Sequence, residues 1–427
     1  MKAQIIQRYD HPDQFLPLMP ADSVLGPLLE RASDLNRAAL ALGNGAVPAS
    51  TQVELRALLR AMNSYYTNRL EGEHTRPSEI DSALKKDFST DRNLARKQRL
   101  AVAHIDTERH CETVIDERLA QGEDTTRWLY STEAVMWLHK HLFEALGDED
   151  RTLEDGSIMV PGELRQRQVA VGRHEAPSFE AVPRFLERWS AVYGAVRRGE
   201  AAIVAACASH HRLAWLHPLP DGNGRVARLH THLLLYAMQL TSGLWSPLRG
   251  FARTEERYRA LLAAADEHRR GDLDGRGNLT QAGLVEWISY VLDVCIDQVS
   301  FMTQQLDVTG MRDRIEASIL YDCNVQKLPV RPEVVGVLHY LFTSGIAMPR
   351  ADFKAMSKLG DRVATGTLSA LLKLGYLATD SAYGDVRFAI PRHALRFYFP
   401  LLWPEAEQDQ AALEVERRTS RRVGMIE

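Results

Sequence analysis

The sequence predicts a mainly α-helical protein: a large helical region with one β-hairpin in it, followed by a smaller C-terminal unit of three helices and a second hairpin. Three observations predict this. Apolar residues recur at three- and four-residue spacing through most of the first three hundred positions. One stretch among them, Gly156–Gly172, reads as strand. Beyond Met311 the elements become short and are punctuated by Pro and Gly.

In chain order, Leu25, Leu28, Leu29, Ala32 and Leu35 line one helical face over Leu25–Leu42, and Gly43 stands where that helix stops. Ser50 or Thr51 is placed to cap a second helix whose Val53, Leu55, Leu58, Leu59 and Met62 share a face. It runs to about Leu70, before Gly72. Helical patterns follow over Asp91–Gln121, Thr132–Leu146, Phe179–Arg197, Ala201–Trp215, Arg225–Thr241, Arg253–Arg269 and Gln281–Leu306. Within Gly156–Gly172, Ile158-Met159-Val160 and Val169-Ala170-Val171 flank a Pro-Gly pair, which suggests that these two runs form the hairpin. The loop Gly271–Gly277 lacks the closing glutamate of a calcium loop.

After the stiff link Pro329–Pro332 come helices over Glu333–Phe342, Arg350–Met356 and Arg362–Leu374. Strands Tyr376–Thr379 and Val386–Ile390 then join around Tyr383-Gly384-Asp385. Three helices and a hairpin make a winged-helix pattern. From Lys327 to Pro404 there are ten Lys/Arg against five Asp/Glu. Lys354, Lys358, Arg362 and Lys373 lie where a DNA-reading surface would be, but the third helix is poor in base-reading Asn, Gln and Arg. That favours a docking or dimerising module over DNA binding.

With 427 residues, 45% hydrophobic and 25% charged, the chain has soluble globular composition and room for two or three folded units. A net charge of −4 excludes a global basic field. The four cysteines lack CxxC spacing, which is reduced, cytoplasmic usage. The N-terminus has no signal-peptide core and no apolar run is long enough for a membrane helix, so no membrane partner is expected.

The chemistry is concentrated in His217-Pro-Leu-Pro-Asp-Gly-Asn-Gly-Arg-Val-Ala-Arg228. Pro218 and Pro220 stop one helix, Asp221–Gly224 make a tight turn, and the next helix opens at once. Backbone N–H groups at such a turn form an anion nest backed by the helix dipole. Arg225 and Arg228 project from the same first turn, an arrangement that an anion would offset. Asp221 beside phosphate calls for a shared cation, with Mg²⁺ the common solution. His217 is placed to accept a proton from an incoming hydroxyl. Together these parts describe nucleotide-dependent transfer to a hydroxyl. His210-His211 and His230/His232 flank the signature, but zinc is not expected there: positions two apart on a helix face away from each other, so neither His230/His232 nor His139/His141 can share one ion. Trp215 and Leu216 read as core.

This stretch closely resembles the signature HPFxDGNGRxxR of the Fic family, many of whose members are protein adenylyltransferases. Leu219 replaces the usual Phe. The resemblance implies His217 as general base, Asp221 as Mg²⁺ ligand, and Gly222, Asn223 and Gly224 as the nest, with Asn223 also positioning the α-phosphate. It implies Arg225 as the α/β-phosphate contact and Arg228 as the γ-phosphate contact. Gly162–Pro177 resembles the family's flap, with Val169, Ala170 and Val171 as the target-pairing strand. Tyr258 is similar to an aromatic near the adenine in related proteins. Thr67-Asn-Arg-Leu-Glu71-Gly72 fits the family's inhibitory pattern, in which Glu71 pairs with Arg228 and removes the γ-phosphate grip.

The resemblance thus implies a Fic-type domain with a hairpin flap, transferring AMP from Mg-ATP to a Ser, Thr or Tyr hydroxyl of a target protein. Self-modification and a homodimer fall within it. Residues 1–125 are expected as a helical region holding the inhibitory helix (about 52–72), 126–310 as the catalytic domain, 311–326 as a linker, 327–404 as the winged-helix unit and 405–427 as a charged tail. Alternatives are AMP removal aided by Glu71, transfer of another phosphate-containing group, and a DNA-binding regulator with a nucleotide-sensing domain. Salt-steep DNA binding would mark the last; adenylylated protein would mark the enzyme.

Overall fold

The computed structural model describes residues 9–44, 49–73, 75–172, 174–196, 199–399 and 402. The expected tail 405–427 lies outside them. The chain divides into two compact units, one of residues 1–41 and 63–299, the other of 42–62 and 300–427.

The helices are α1 (Asp22–Gly43), α2 (Ala49–Leu70), α3 (Pro77–Leu84), α4 (Arg92–Ala120), α5 (Thr125–Leu129), α6 (Thr132–Phe143), α7 (Val182–Tyr193), α8 (Gly199–Leu216), α9 (Asn223–Ala237), α10 (Leu248–Arg253), α11 (Glu255–Ala265), α12 (Gln281–Gln305), α13 (Val308–Asn324), α14 (Val335–Ser344), α15 (Arg350–Ser357), α16 (Asp361–Leu374) and α17 (Leu395–Tyr398). The strands are β1 (Ala170–Val171), β2 (His174–Glu175), β3 (Leu377–Ala378) and β4 (Arg387–Phe388). The mainly α class therefore holds.

Local chemistry sets the boundaries. Asp91 caps α4 by accepting from Leu94 N at 2.8 Å, and Ser131 caps α6 through Ala134 N at 3.0 Å. Gly72 ends α2 at φ 75°, with Gly72 N bonded to Arg69 O and Glu73 N to Asn68 O, a Schellman closure. Ser50 and Thr51 fall inside α2 rather than capping it, and their side chains lie outside those described. In the larger unit α8 and α9 form the centre. Both are buried on nearly all sides, so neither has a polar face to give to solvent. Trp189, Trp215 and Trp287 are fully buried in this unit, and Trp215 stacks on Phe15 at 5.0 Å.

Two expectations are corrected. The hairpin does not pair Ile158–Val160 with Val169–Val171. Ile158 instead bridges back to Thr152, while Ala170 pairs with Glu175 and Val171 with His174. The reason lies at Gly162: with φ 87° it turns the chain onto α6, where its N–H donates to His139 Nδ1 at 2.9 Å. Gly172, at φ 62°, then makes the turn that closes the shorter hairpin. The second concerns the stretch 311–326, expected as a linker, which is mostly helix α13.

In the smaller unit, α14, α15 and α16 precede the antiparallel β3–β4 pair, and Met348 adds a bridge to Val386. Tyr376, buried beneath this pair, donates its hydroxyl to Asp322 at 2.8 Å. Among the described residues no helix is long and apolar enough to cross a membrane.

Candidate active site

The loop between α8 and α9 is braced from within. Asn223 accepts from Leu219 N at 2.9 Å and donates to Leu219 O at 2.8 Å, closing the turn into a ring. Leu219, 1% exposed, packs its side chain inward. Gly222 sits in the left-handed region at φ 72°, and a Cβ there would run into the Phe143 ring. The first i→i−4 bond of α9 is Val226 N to Gly222 O, so the N–H groups of Asn223, Gly224 and Arg225 precede the helical ladder and make its positive end.

Asp221 accepts from Gly222 N at 2.6 Å through one oxygen and from Arg225 at 3.1 Å through the other. Its side chain is half exposed. Arg225 is held flat over Phe143, its guanidinium carbon 4.8 Å from the ring centroid. Mg²⁺ characteristically uses one or two protein carboxylates and takes its remaining ligands from water and substrate phosphates, so this single accessible carboxylate beside the nest fits it.

Arg228 is buried and gripped from α2. Its Nε donates to Thr67 Oγ1 at 2.8 Å, and its Nη2 donates to Thr67 O at 3.1 Å and to Glu71 Oε1. That same Glu71 oxygen lies against Gly224, where a Cβ would collide with it. Glu71 is the C-terminal cap of its own helix, where the dipole disfavours a carboxylate, and it stands at the N-terminus of α9, where the dipole favours one. Burial pushes the Glu71 carboxyl up, but Arg228, Arg225 and Arg259 outweigh it and hold it below the usual carboxylate range.

Tyr258 is 5% exposed, and its hydroxyl meets His210 Nε2 at 2.9 Å and stands against Arg228. Thr231 spends its own proton on Ala227 O at 2.9 Å, so it accepts from His210 Nδ1 at 2.8 Å. His210 therefore carries its proton on Nδ1, and Tyr258 donates to Nε2. Burial keeps His210 far below its ordinary pKa and so neutral.

His217 follows α8 with φ 47°, a left-handed conformation uncommon for a side-chain-bearing residue. Burial first, then the charges of Arg165 and His174, pull its pKa down to about 4, against a backbone bond to Ala214 and the charge of Asp221. The bond to Ala214 occupies one ring nitrogen, and the other stays available as a base. A cavity of about 200 Å³ is lined by His217, Asn223, Gly224, Arg228, Glu71, Tyr258, Arg259, Asp266 and His174.

The structure thus brings together Thr67, Glu71, His217, Asp221, Gly222, Asn223, Gly224, Arg225, Arg228 and Tyr258. Gly72 acts as the helix stop behind Glu71. In the flap, Val169 O accepts from Ala176 N at 3.2 Å and Ala170 is exposed, while the Val171 side chain lies outside those described. Sequence reasoning missed Arg165, His174, His210 and Arg259, all of which act through backbone carbonyls or through partners distant in sequence.

Away from this cavity, Glu108, Glu112 and His232 form the one buried group, among the described residues, whose ligand atoms lie close enough for a metal ion. His232 Nε2 stands 3.4 Å from Glu108 and 3.5 Å from Glu112, whereas His230 turns away to Leu129 O. The two histidines diverge, as their spacing required.

Residues 129–235, which include the whole His217–Arg228 loop, match the model of the Fic/DOC family. The chain carries a Fic/DOC family domain. Fic proteins transfer phosphate-containing groups such as AMP onto proteins, generally from a nucleoside triphosphate with a divalent metal. Among solved structures, a Fic family protein from Desulfovibrio desulfuricans matches with TM-score 0.50 at 14% identity, covering 87% of this chain and 98% of that one. That likeness is one of fold. A Fic domain containing signaling protein from Bacteroides thetaiotaomicron matches with TM-score 0.48 at 16% identity, over 64% of this chain and 96% of that one. Fic-1 from C. elegans matches with TM-score 0.49 at 15% identity, over 67% and 75%.

Proposed function

We propose that this protein is an adenylyltransferase that moves AMP from Mg-ATP to a Ser, Thr or Tyr hydroxyl of a protein, and that Glu71 holds it inactive. The observation that carries the reading is a cavity shared by a neutral histidine, a helix N-terminus, the buried Arg228 and an intruding carboxylate. In the reaction the target hydroxyl oxygen bonds to the α-phosphorus, the bond to the β-phosphate oxygen breaks, and pyrophosphate leaves. The hydroxyl proton passes to the free ring nitrogen of His217. Asp221 is the residue that would hold Mg²⁺, which supplies charge neutralisation on the phosphates. Asn223, Gly224 and Arg225 offer N–H groups to phosphate oxygens, and Arg225 and Arg228 add cationic donors.

Glu71 opposes this in two ways. It occupies Arg228, and it places negative charge against Gly224, where a phosphate would lie. The exposed edge at Ala170 supports pairing with an extended target segment. For the C-terminal unit, read as a winged helix, docking is favoured over DNA reading. Lys354 is engaged by Asp361 at 2.9 Å, and Arg387 is paired with Glu54. The test is intact-protein mass after incubation with Mg-ATP. Glu71→Gly should gain about 329 Da, the AMP left once pyrophosphate departs, and the double variant with His217→Ala should gain nothing. A gain of one phosphate instead would replace AMP transfer with phosphoryl transfer.

A further inference from the structure

Arg165 lies in the segment between α6 and α7, 2% exposed, and its hydrogen bonds among the described residues run to backbone carbonyls. Nε donates to His217 O at 2.7 Å, Nη1 donates to Arg167 O at 2.8 Å, and Nη2 donates to Pro177 O. Its own N–H donates to Pro218 O at 2.9 Å. A buried guanidinium is costly unless its planar fork is filled, and here the fork is filled by three carbonyls from three separate points of the chain. Two of these points, Arg167 and Pro177, are the two feet of the β1–β2 hairpin. The third is the residue that carries the base.

We propose that Arg165 is a positioning residue: its guanidinium staples both feet of the flap to the carbonyl of His217, so that the strand that would hold a target and the base that would deprotonate it share one rigid frame. The inference rests on reading His217 as the base and the hairpin as the target-holding edge. It accounts for the left-handed backbone at His217, which points that carbonyl at Nε, and for how a two-residue sheet with one exposed edge is held in place. It also gives the cation a second effect. The titratable and charged groups facing His217 are Arg165 and His174 from the flap segment and Asp221 from the loop, with Glu71, Arg228, Arg259, Tyr258 and Asp266 around the cavity. Burial does most to keep the ring unprotonated, and Arg165 is the largest electrostatic contributor to it.

Two substitutions separate the roles. Arg165→Lys keeps the charge but cannot span three carbonyls, whereas Arg165→Gln loses both. Amide hydrogen exchange and the His217 ring signals are followed by NMR from pH 8 to 5.5, in the full chain and without turnover. Both variants should lose protection at Ala176 N, which bonds to Val169 O across the hairpin, by about tenfold or more. Only Arg165→Gln should move the onset of His217 protonation upward, by about one pH unit. Mg-ATP affinity, measured by calorimetry in the Glu71→Gly background, should stay within about twofold.

Flap protection and His217 titration unchanged in Arg165→Gln would overturn the proposal. Should both variants fail to fold, the wild type still decides: the Arg165 Nε–H signal must persist at neutral pH, and rapid exchange with water would refute the staple. These readouts need no reaction. If they hold while AMP transfer is absent, the proposed reaction falls and the staple stands.

Discussion

Replacing Glu71 by Gly is the perturbation with the largest expected gain. On the proposed reading, Mg-ATP in the wild type would have to displace a carboxylate from Arg228 and from the face of Gly224 before its phosphates could settle. A charge-assisted hydrogen bond of this kind is worth ~1.5–3 kcal/mol. Arg228 is 3% exposed, which favours the upper end, but the Glu71 side chain is 34% exposed, and solvent screening pulls the value back. Taking ~2–3 kcal/mol, the variant should transfer AMP about 30–160-fold faster at equal Mg-ATP. The same change strips Arg228 of its counter-charge while leaving its bonds to Thr67, so thermal stability should drop by roughly 1–3 kcal/mol rather than rise. The assay is the initial rate of incorporation of label from the α-phosphate of ATP into protein, with a melting curve on the same samples. Rates within twofold of each other would refute the reasoning, because the carboxylate would then be no obstacle to productive phosphate placement.

Other outcomes follow from the same geometry. Since His217 stays neutral down to about pH 4, the transfer rate of Glu71→Gly should be flat from pH 8 to 6, where an ordinary histidine base would lose about fourfold; a midpoint near 6.5 in the rate profile would contradict it. Burial holds His104 at about 3 and His139, His217 and His230 at about 4. The unfolded chain takes up these protons near pH 6.5 and the folded one does not, so stability is full above 6.5 and is lost below it. Burial lowers His210 and His211 as well, and six such groups give a slope of ~8 kcal/mol per pH unit, which predicts acid unfolding between about pH 5.5 and 4 with uptake of roughly six protons. Absence of proton uptake in a pH-jump titration would count against it. Asp221→Asn should lower transfer by ~100-fold and raise the Mg²⁺ concentration needed for half-maximal rate; chelation should abolish transfer in either protein. Gly222→Val combines a left-handed backbone with a collision against Phe143, and should cost about 2–4 kcal/mol in thermal unfolding.

How much of this was legible in the sequence depended on whether the deciding residues were neighbours in the chain. The His217–Arg228 loop was legible because its parts are contiguous: two prolines, a tight turn and a helix start declare the nest on their own. Glu71 and its pairing with Arg228 were legible only through the family resemblance, and its contact with Gly224, between residues more than 150 positions apart, through no local pattern at all. One strand of the hairpin was placed in its segment, but its partner was misassigned: β2 lies beyond Gly172. Strand propensity marked Ile158–Val160 and Val169–Val171, but Gly162 docks on His139 of α6, a tertiary contact that overrides the local pattern. Helix α13 was legible and passed over: Met311, Ile315 and Ile319 recur at four-residue spacing, and all three are buried. Arg165 and the His210–Tyr258 pair could not be found from motif spacing, since one binds only carbonyls and the other is joined across 48 positions.

The most direct measurement compares ATP labelled in the α-phosphate with ATP labelled in the γ-phosphate, using Glu71→Gly and Glu71→Gly/His217→Ala in a cell lysate. The account predicts protein-bound label from the α-phosphate alone, in Glu71→Gly and not in the double variant. Label from the γ-phosphate, or equal α-phosphate labelling with and without His217, would contradict it.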